Sequence, residues 1–236
     1  MQKRREFARI RSALAASWHF RALESADLDR LAEVGRLQRL RHAERAVQEG
    51  TRERLWIILN GAIRVSSKVP GSKEYVYAVL GPGSYFGLAT AVRDAPFAAD
   101  ARAFGATDLA AFRDDALAAM VDERPRLWRH VSELLSRRLR LALLIMRDNS
   151  VAPLPQRIAR RLLGHALSTD LRGLKEVQVR MTQADLALML GKGRSRTNAA
   201  IKALERRGLI RAGYRSITIL DLPRLKALAG RGVTAY

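Results

Sequence analysis

One stretch near the end constrains this chain more than any other. It begins Thr182-Gln183-Ala184-Asp185-Leu186-Ala187-Leu188-Met189-Leu190-Gly191 and continues Lys192-Gly193-Arg194-Ser195-Arg196-Thr197-Asn198. It then closes with Ala199-Ala200-Ile201-Lys202-Ala203-Leu204-Glu205-Arg206-Arg207-Gly208-Leu209-Ile210. Thr182 with Asp185 is a capping-box variant that starts a helix. Leu186, Ala187 and Leu190 give that helix an apolar side, and Gly191 and Gly193 bracket a tight turn. On the second helix Thr197, Ala200, Ile201 and Leu204 recur on one face. Ser195, Ala199, Lys202 and Arg206 lie opposite, flanked by Arg194 and Asn198.

Two short helices about a glycine turn, the second apolar behind and basic in front, are how a helix-turn-helix addresses the DNA major groove. Arg and Asn are the side chains best shaped for bidentate contacts to guanine and adenine edges. The expected DNA contacts are Thr182, Gln183, Lys192, Arg194, Ser195, Arg196, Asn198 and Lys202. Gly208 ends the second helix as a C′ residue. Leu209-Ile210 and Ile217-Thr218-Ile219-Leu220 then read as two strands of a β-wing around Ala212-Gly213-Tyr214-Arg215. The plainer alternative is an αα-hairpin with a solvated basic face.

The charge agrees with a polyanionic partner. The 236 residues carry 43 Lys and Arg against 23 Asp and Glu, a net charge of +20. An anionic membrane surface is the competing partner, but there is no run of about 18 apolar residues to span a bilayer. Met1-Gln2-Lys3-Arg4-Arg5-Glu6 is basic, yet Phe7 to Phe20 contains Arg9, Arg11 and His19 and lacks the apolar centre of a signal peptide. The chain has no cysteine, which excludes disulfides, thiolate metal sites and cysteine-held iron–sulfur clusters. A cytoplasmic protein without membrane contact is expected.

Upstream, residues 18–121 read as a β-rich domain. Ser25 followed by Ala26-Asp27-Leu28-Asp29-Arg30-Leu31 looks like a capped helix start. Leu55 to Leu59, Asn60-Gly61 and Ala62 to Ser66 predict a hairpin with a type I′ turn. Tyr75 to Leu80 is a further strand, punctuated by Gly81-Pro82-Gly83, and Ala101–Phe104 and Leu109–Phe112 are weaker ones. Such a series of short strands suggests a barrel or sandwich. Residues 122–152 hold a long helix, with Pro125 in its first turn, and a hinge at Pro153 and Pro155. Leu127, Val131, Leu134, Leu141 and Ile145 form a near-heptad seam, interrupted at Arg138. That seam is the expected dimer interface, an amphipathic core helix being the alternative. Residues 153–229 form the nucleic-acid-binding domain, opened by a helix from Gln156 to Leu167.

This order of parts resembles the cyclic-AMP receptor protein and fumarate–nitrate regulator family of bacterial transcription factors. The likeness covers about residues 20–228, and its most specific pieces are the helix-turn-helix and Gly81-Pro82-Gly83-Ser84-Tyr85-Phe86-Gly87. It implies an α+β fold: an N-terminal cyclic-nucleotide-binding-like β-roll (jelly roll), a long dimerisation helix and a C-terminal winged helix-turn-helix. It also implies a homodimer on near-palindromic double-stranded DNA, with RNA polymerase as a further partner. The docking geometry is the one described for the family's founding member. Arg194 matches the family's first recognition Arg, while Ser195 replaces an acidic or amide residue and Ala199 a second Arg. The family's consensus operator therefore does not carry over.

The sensor departs further. In the family's cyclic-nucleotide binders a Glu follows Phe-Gly and accepts from the ribose, and an Arg followed by Ser or Thr holds the cyclic phosphate. Here Leu88 follows Gly87, and Ala98 and Ala99 stand at the other two positions. A buried phosphate without cation or donors is strongly disfavoured. Arg93 and Arg102 are nearby but wrongly spaced. Cyclic AMP is thus not expected to bind, and the expected pocket, Val79, Phe86, Gly87, Leu88, Ala98 and Ala99, favours an apolar or uncharged effector or none. Haem needs an axial ligand, and His19, His42, His130 and His165 are scattered. No cofactor or metal is expected. No P-loop, Gly-x-Ser-x-Gly elbow or His-Glu-x-x-His is present, so no enzyme is expected. A non-specific basic nucleic-acid-binding module without ligand regulation is the alternative to a sequence-specific regulator.

Overall fold

The computed structural model describes residues 2–51, 55–68, 71, 74–89, 96–166 and 176–230. The chain divides into two compact units, Met1–Ser67 with Leu80–Ser136, and Lys68–Val79 with Arg137–Tyr236.

In the first unit, helices α1 (Gln2–Ala16) and α2 (Ser25–Val34) precede strands β1 (Arg36–Leu40), β2 (Arg45–Val47), β3 (Leu55–Asn60) and β4 (Ile63–Lys68). Strand β5 (Glu74–Leu80) falls mainly in the second unit. β6 (Tyr85–Phe86), β7 (Asp100–Ala103), β8 (Thr107–Phe112) and α3 (Asp114–Glu123) follow in the first. One sheet runs β1-β8-β3-β6, and the other runs β2-β7-β4 within this unit. β3 and β8 are antiparallel, with Trp56 opposite Ala111 and Ile57 opposite Ala110.

The period-2 alternation of β3 sorts its side chains into two cores. Leu55 and Ile57 pack with Ile10 and Leu14 of α1 and Leu28 and Leu31 of α2. Trp56 and Ile58 point the other way, to Ile63, Phe86, Ala101 and Leu109 inside the roll. Covered on both faces, β3 is a central strand, which explains its unbroken apolar run.

Two local expectations change here. Asn60-Gly61 does not close a hairpin, because β3 and β4 lie in different sheets. It is a corner between sheets: Gly61 has φ +84, and a Cβ on it would meet the Ala106 carbonyl oxygen at 2.4 Å. The Thr107 hydroxyl pins the corner, donating to the Ala62 carbonyl at 2.9 Å and accepting from the Ala62 amide at 3.2 Å. Ser25 does not cap α2 either. Glu24 is the N-cap, without a side-chain cap bond, and the Ser25 hydroxyl accepts from Arg11 at 2.7 Å.

The long helix α4 (Arg126–Val151) starts just after Pro125. The division between units falls within it, between Ser136 and Arg137. In the second unit come α5 (Leu154–Ala166), β9 (Val177–Arg180), α6 (Gln183–Leu190), α7 (Arg194–Arg206), β10 (Ile210–Gly213), β11 (Ser216–Ile219) and α8 (Leu222–Ala229). Its sheet runs β10-β11-β9. β9 pairs Val179 with Ile217, a third strand that the sequence reading did not mark. Ile158, Leu162, Leu186, Met189, Ile201, Leu204, Ile217 and Leu225 are buried in this unit.

Candidate nucleic-acid interface and sensor roll

The helix-turn-helix is built from local chemistry. The Thr182 hydroxyl accepts from the Asp185 amide at 2.9 Å, and the Asp185 carboxylate accepts from the Thr182 amide at 3.2 Å. This reciprocal box starts α6. Gly191 ends it in the left-handed region with φ 60, and Gly193 is the N-cap of α7. Thr197, Ile201 and Leu204 are almost fully buried and hold α7 against the domain. Arg194, Ser195, Arg196, Asn198, Ala199, Lys202 and Arg206 are all exposed, as is Lys192 in the turn. Six of the eight expected contacts thus share one accessible surface around the turn and α7. Thr182 and Gln183, at the start of α6, are half-buried, and the Thr182 hydroxyl is committed to its cap.

The wing adds residues that the sequence marks as its turn but not as DNA contacts. Tyr214 is 87% exposed at its tip, and Arg215, at φ 52, sets its guanidinium 5.4 Å from the Tyr214 ring. The Glu205 carboxylate accepts from the Ala212 amide at 2.7 Å and so fixes the wing to the end of α7.

Behind this surface lies a group of buried cations on α5. One Arg157 Nη2 donates to the Leu190 carbonyl at the end of α6 and to Asn149 Oδ1 on α4, each at 2.6 Å. Arg160 pairs with Asp148 of α4 and donates from Nε to the Ala229 carbonyl that ends α8, at 2.7 Å. Arg161 is buried beside them. Burial, and then Arg161, push the Arg157 pKa below its ordinary value, and Asp148 works against that. Packing around the His165 ring, with Arg161 next, pushes its pKa down to about 4. Mid-helix arginines pass for solvated charge in a sequence, and no local signal showed that these are buried.

In the first unit the expected effector pocket does not form as drawn. Phe86 stacks on Trp56 with ring centroids 5.1 Å apart, and Phe97 meets both rings edge-on. These rings fill the roll where Phe86 was to line a cavity. Ala99 is buried, Ala98 exposed and Gly87 half-buried; Val79 is buried but counts with the second unit. Arg102 pairs with Asp100 at 3.4 Å, and Arg93 lies outside the described residues. Leu88 alone of the six borders a cavity of about 200 Å³, which lies elsewhere, against α3 and α4.

The dimer seam is also corrected. Leu127 and Leu134 are buried in the first unit's own core, with Val131 packed against it. Over these turns the helix uses that face to cover its own unit. Leu141 and Ile145 are half-buried. The exposed large apolar residues of α4 are Trp128, Leu139, Leu143, Met146 and Val151, and the first four fall along one side of the helix.

Known proteins share this architecture. Residues 37–124 match the cyclic nucleotide-binding domain and residues 156–228 the Crp-like helix-turn-helix domain. The transcriptional regulator SdrP of Thermus thermophilus is 30% identical over 184 residues, covering 76% of this chain and 86% of its own. The chain belongs to the CRP/FNR family of transcription regulators. Another relative, the CRP-like cAMP-activated global transcriptional regulator of Mycobacterium tuberculosis, is 28% identical over 175 residues, 73% of this chain and 78% of its own. The solved structure of FixK2 from Bradyrhizobium japonicum superposes with a TM-score of 0.72 at 20% identity, covering 84% of this chain and 99% of that one, and shows the shared fold. As a CRP/FNR-type regulator the protein binds DNA, and its helix-turn-helix lies within the matched Crp-like domain. Among the described residues no helix is long and apolar enough to cross a membrane.

Proposed function

We propose that this regulator acts as a cytoplasmic homodimer, reads a near-palindromic operator with α7, and does so without cyclic nucleotides. The carrying observation is the arrangement of α7: Thr197, Ile201 and Leu204 lock the helix in place while Arg194, Arg196, Asn198 and Lys202 face outward. A fixed helix with exposed Arg and Asn discriminates bases, whereas mobile basic side chains give only charge attraction. The apolar side of α4 bearing Trp128, Leu139, Leu143 and Met146 is the face through which a second copy joins. Two-fold symmetry then sets the half-sites about 10 base pairs apart. RNA polymerase is the further partner.

Cyclic-nucleotide independence rests on three positions. Leu88 cannot accept from a ribose, and Ala98 and Ala99 offer a phosphate neither cation nor hydroxyl. No resident cofactor or metal enters this reading.

Selection of binding sites from genomic DNA by the purified protein tests the DNA-reading proposal. A recovered inverted repeat, bound far more tightly than bulk DNA at one fixed salt concentration, is the expected result. Recovery without a repeat, with affinity set only by salt, would establish the alternative of a non-specific basic module, which the net charge of +20 also suits. Calorimetry with cyclic AMP and cyclic GMP tests the sensor: a saturable heat coupled to tighter operator binding would overturn nucleotide independence.

A further inference from the structure

We propose that the cavity beneath the first turns of α4 is the effector site, and that it takes a small, neutral, apolar ligand of the size of a substituted benzene or a short fatty alcohol. This rests on the reading of the protein as a sequence-specific DNA-binding regulator. The cavity measures about 200 Å³ and lies wholly within the first unit. Leu55 of β3, Leu88, Leu117 and Met120 of α3, and Val131 and Leu134 of α4 form its apolar walls.

Size comes first. An apolar cavity of roughly 150 Å³ is enough to admit benzene and stays dry when empty. Protein interiors otherwise pack to crystal density with few voids larger than a water molecule. The pocket opens to solvent past Ala118, Asp122 and Trp128, and its leucine-lined floor offers dispersion contacts that an apolar guest would make.

The lining also selects by charge. Among the described residues it holds no Lys or Arg, and its ionisable members are Asp122 and His130. A carboxylate or phosphate entering there would lose its hydration without gaining a strong cation and would face Asp122. A neutral guest meets no such penalty. The same logic separates this cavity from a cyclic-nucleotide site, where anion recognition dominates.

Position makes the cavity regulatory. Leu127, Val131 and Leu134 present successive turns of α4 to the guest. The same helix runs on to Asp148 and Asn149, which hold Arg160 and Arg157 of the DNA-binding unit. A guest that fits one setting of the first turns of α4 better than another biases the helix that carries those two anchors. A ligand shifts an equilibrium only through such differential fit.

The test uses the full chain with toluene and 1-octanol as probes, and octanoate and cyclic AMP as anionic comparators. Binding is read without DNA, by thermal unfolding and by the fluorescence of Trp128, which borders the cavity. Both neutral probes should raise Tm saturably. Octanoate should bind roughly tenfold or more weakly than 1-octanol, in line with the cost of burying its charge. Leu117→Trp, and independently Val131→Phe, should abolish probe binding while circular dichroism stays native. Operator affinity measured without probe tests the regulator reading on its own, and a change in that affinity on adding probe tests the effector role. The proposal is overturned if neither probe saturates or if a folded filling variant still binds. It is equally overturned if probe binding leaves operator affinity unchanged, or if binding vanishes as the protein is concentrated into dimers, which would make a second copy the occupant.

Discussion

Asp148→Asn should loosen the DNA-binding unit more than any surface change. Asp148 and Arg160 keep only 6% and 10% of their side-chain surface exposed. Arg147 also donates to the same carboxylate oxygen, at 2.9 Å. Arg157 and Arg161 are buried close by, so one carboxylate offsets a cluster of guanidinium charges. The amide keeps the shape and removes the charge, leaving Arg160 buried without its counter-ion. Breaking a buried pair from one side costs about 3–5 kcal/mol. At about 1.4 kcal/mol per factor of ten, that is two to four orders of magnitude in an opening equilibrium. Hydrogen exchange by mass spectrometry reads each unit separately, which a single melting curve of a two-unit protein does not. Amides of α5 around Ile158 and Leu162 should lose protection on that scale, while β3 and β8 keep theirs. Asp148→Leu with Arg160→Met removes both charges and should recover most of the loss. A loss of less than about one order of magnitude, or a double variant as unstable as the single one, would refute the argument.

Three further outcomes follow from the same geometry. Arg194→Ala should cost about 1–3 kcal/mol on the selected operator and relax preference at one position per half-site, while Lys202→Ala should weaken all sequences alike and lower the salt slope by about 1; binding titrations on an operator series check both. Leu139→Lys with Leu143→Lys should give folded monomers in sedimentation, whereas Leu134→Lys should instead unfold the first unit, since Leu134 is 3% exposed inside its core. His165 has a folded pKa of about 4 against an ordinary 6.5, so the unfolded chain takes up the proton first as pH falls: the stability is complete above 6.5 and is lost between 6.5 and 4, by up to about 3 kcal/mol, and His165→Phe should flatten that part of the stability–pH curve.

The parts of this molecule that the sequence displays are those decided within a few residues. The capping box at Thr182, the positive φ at Gly191 and Gly208, and the 3.6-residue recurrence of Thr197, Ile201 and Leu204 need no distant partner, and each is found as expected. Where tertiary context decides, local signals point elsewhere. Asn60-Gly61 carries the composition of a hairpin turn, but the approach of Ala106 and Thr107 and burial on both faces of β3 send the chain into the other sheet. The seam through Leu127 and Leu134 marks an apolar face correctly, but periodicity does not say what covers it, and the unit's own core does. Phe86 lies in the segment that carries the family likeness, and its stacking partner Trp56 is far away in sequence. Arg157, Arg160 and Arg161 carry no sequence mark of burial, because a cation at a helical position looks the same in water or against a carboxylate.

Charge placement joins these observations to DNA reading. Much of the acidic complement of the first unit is spent locally: Asp27 holds Arg124 and Arg126, Asp108 holds Arg9 and Arg39, and Asp29 holds Arg11. In the second unit Asp148 faces the buried cluster, and Asp185 and Asp221 are used as helix caps. Glu205, the one acid on α7, accepts from the Ala212 amide. Among the described residues no ion pair involves Lys192, Arg194, Arg196, Lys202 or Arg206. No acid among the described residues has to release these charges before they meet a phosphate. Affinity from such groups comes largely from counter-ion release and should fall steeply with salt, at about 0.9 in the log–log slope for each phosphate neutralised. On the proposed reading, base discrimination instead depends on how rigidly α7 presents Arg194 and Asn198. That rigidity comes from uncharged contacts, the burial of Thr197, Ile201 and Leu204, so raising salt should weaken binding of every sequence while leaving the order of preference among operators unchanged.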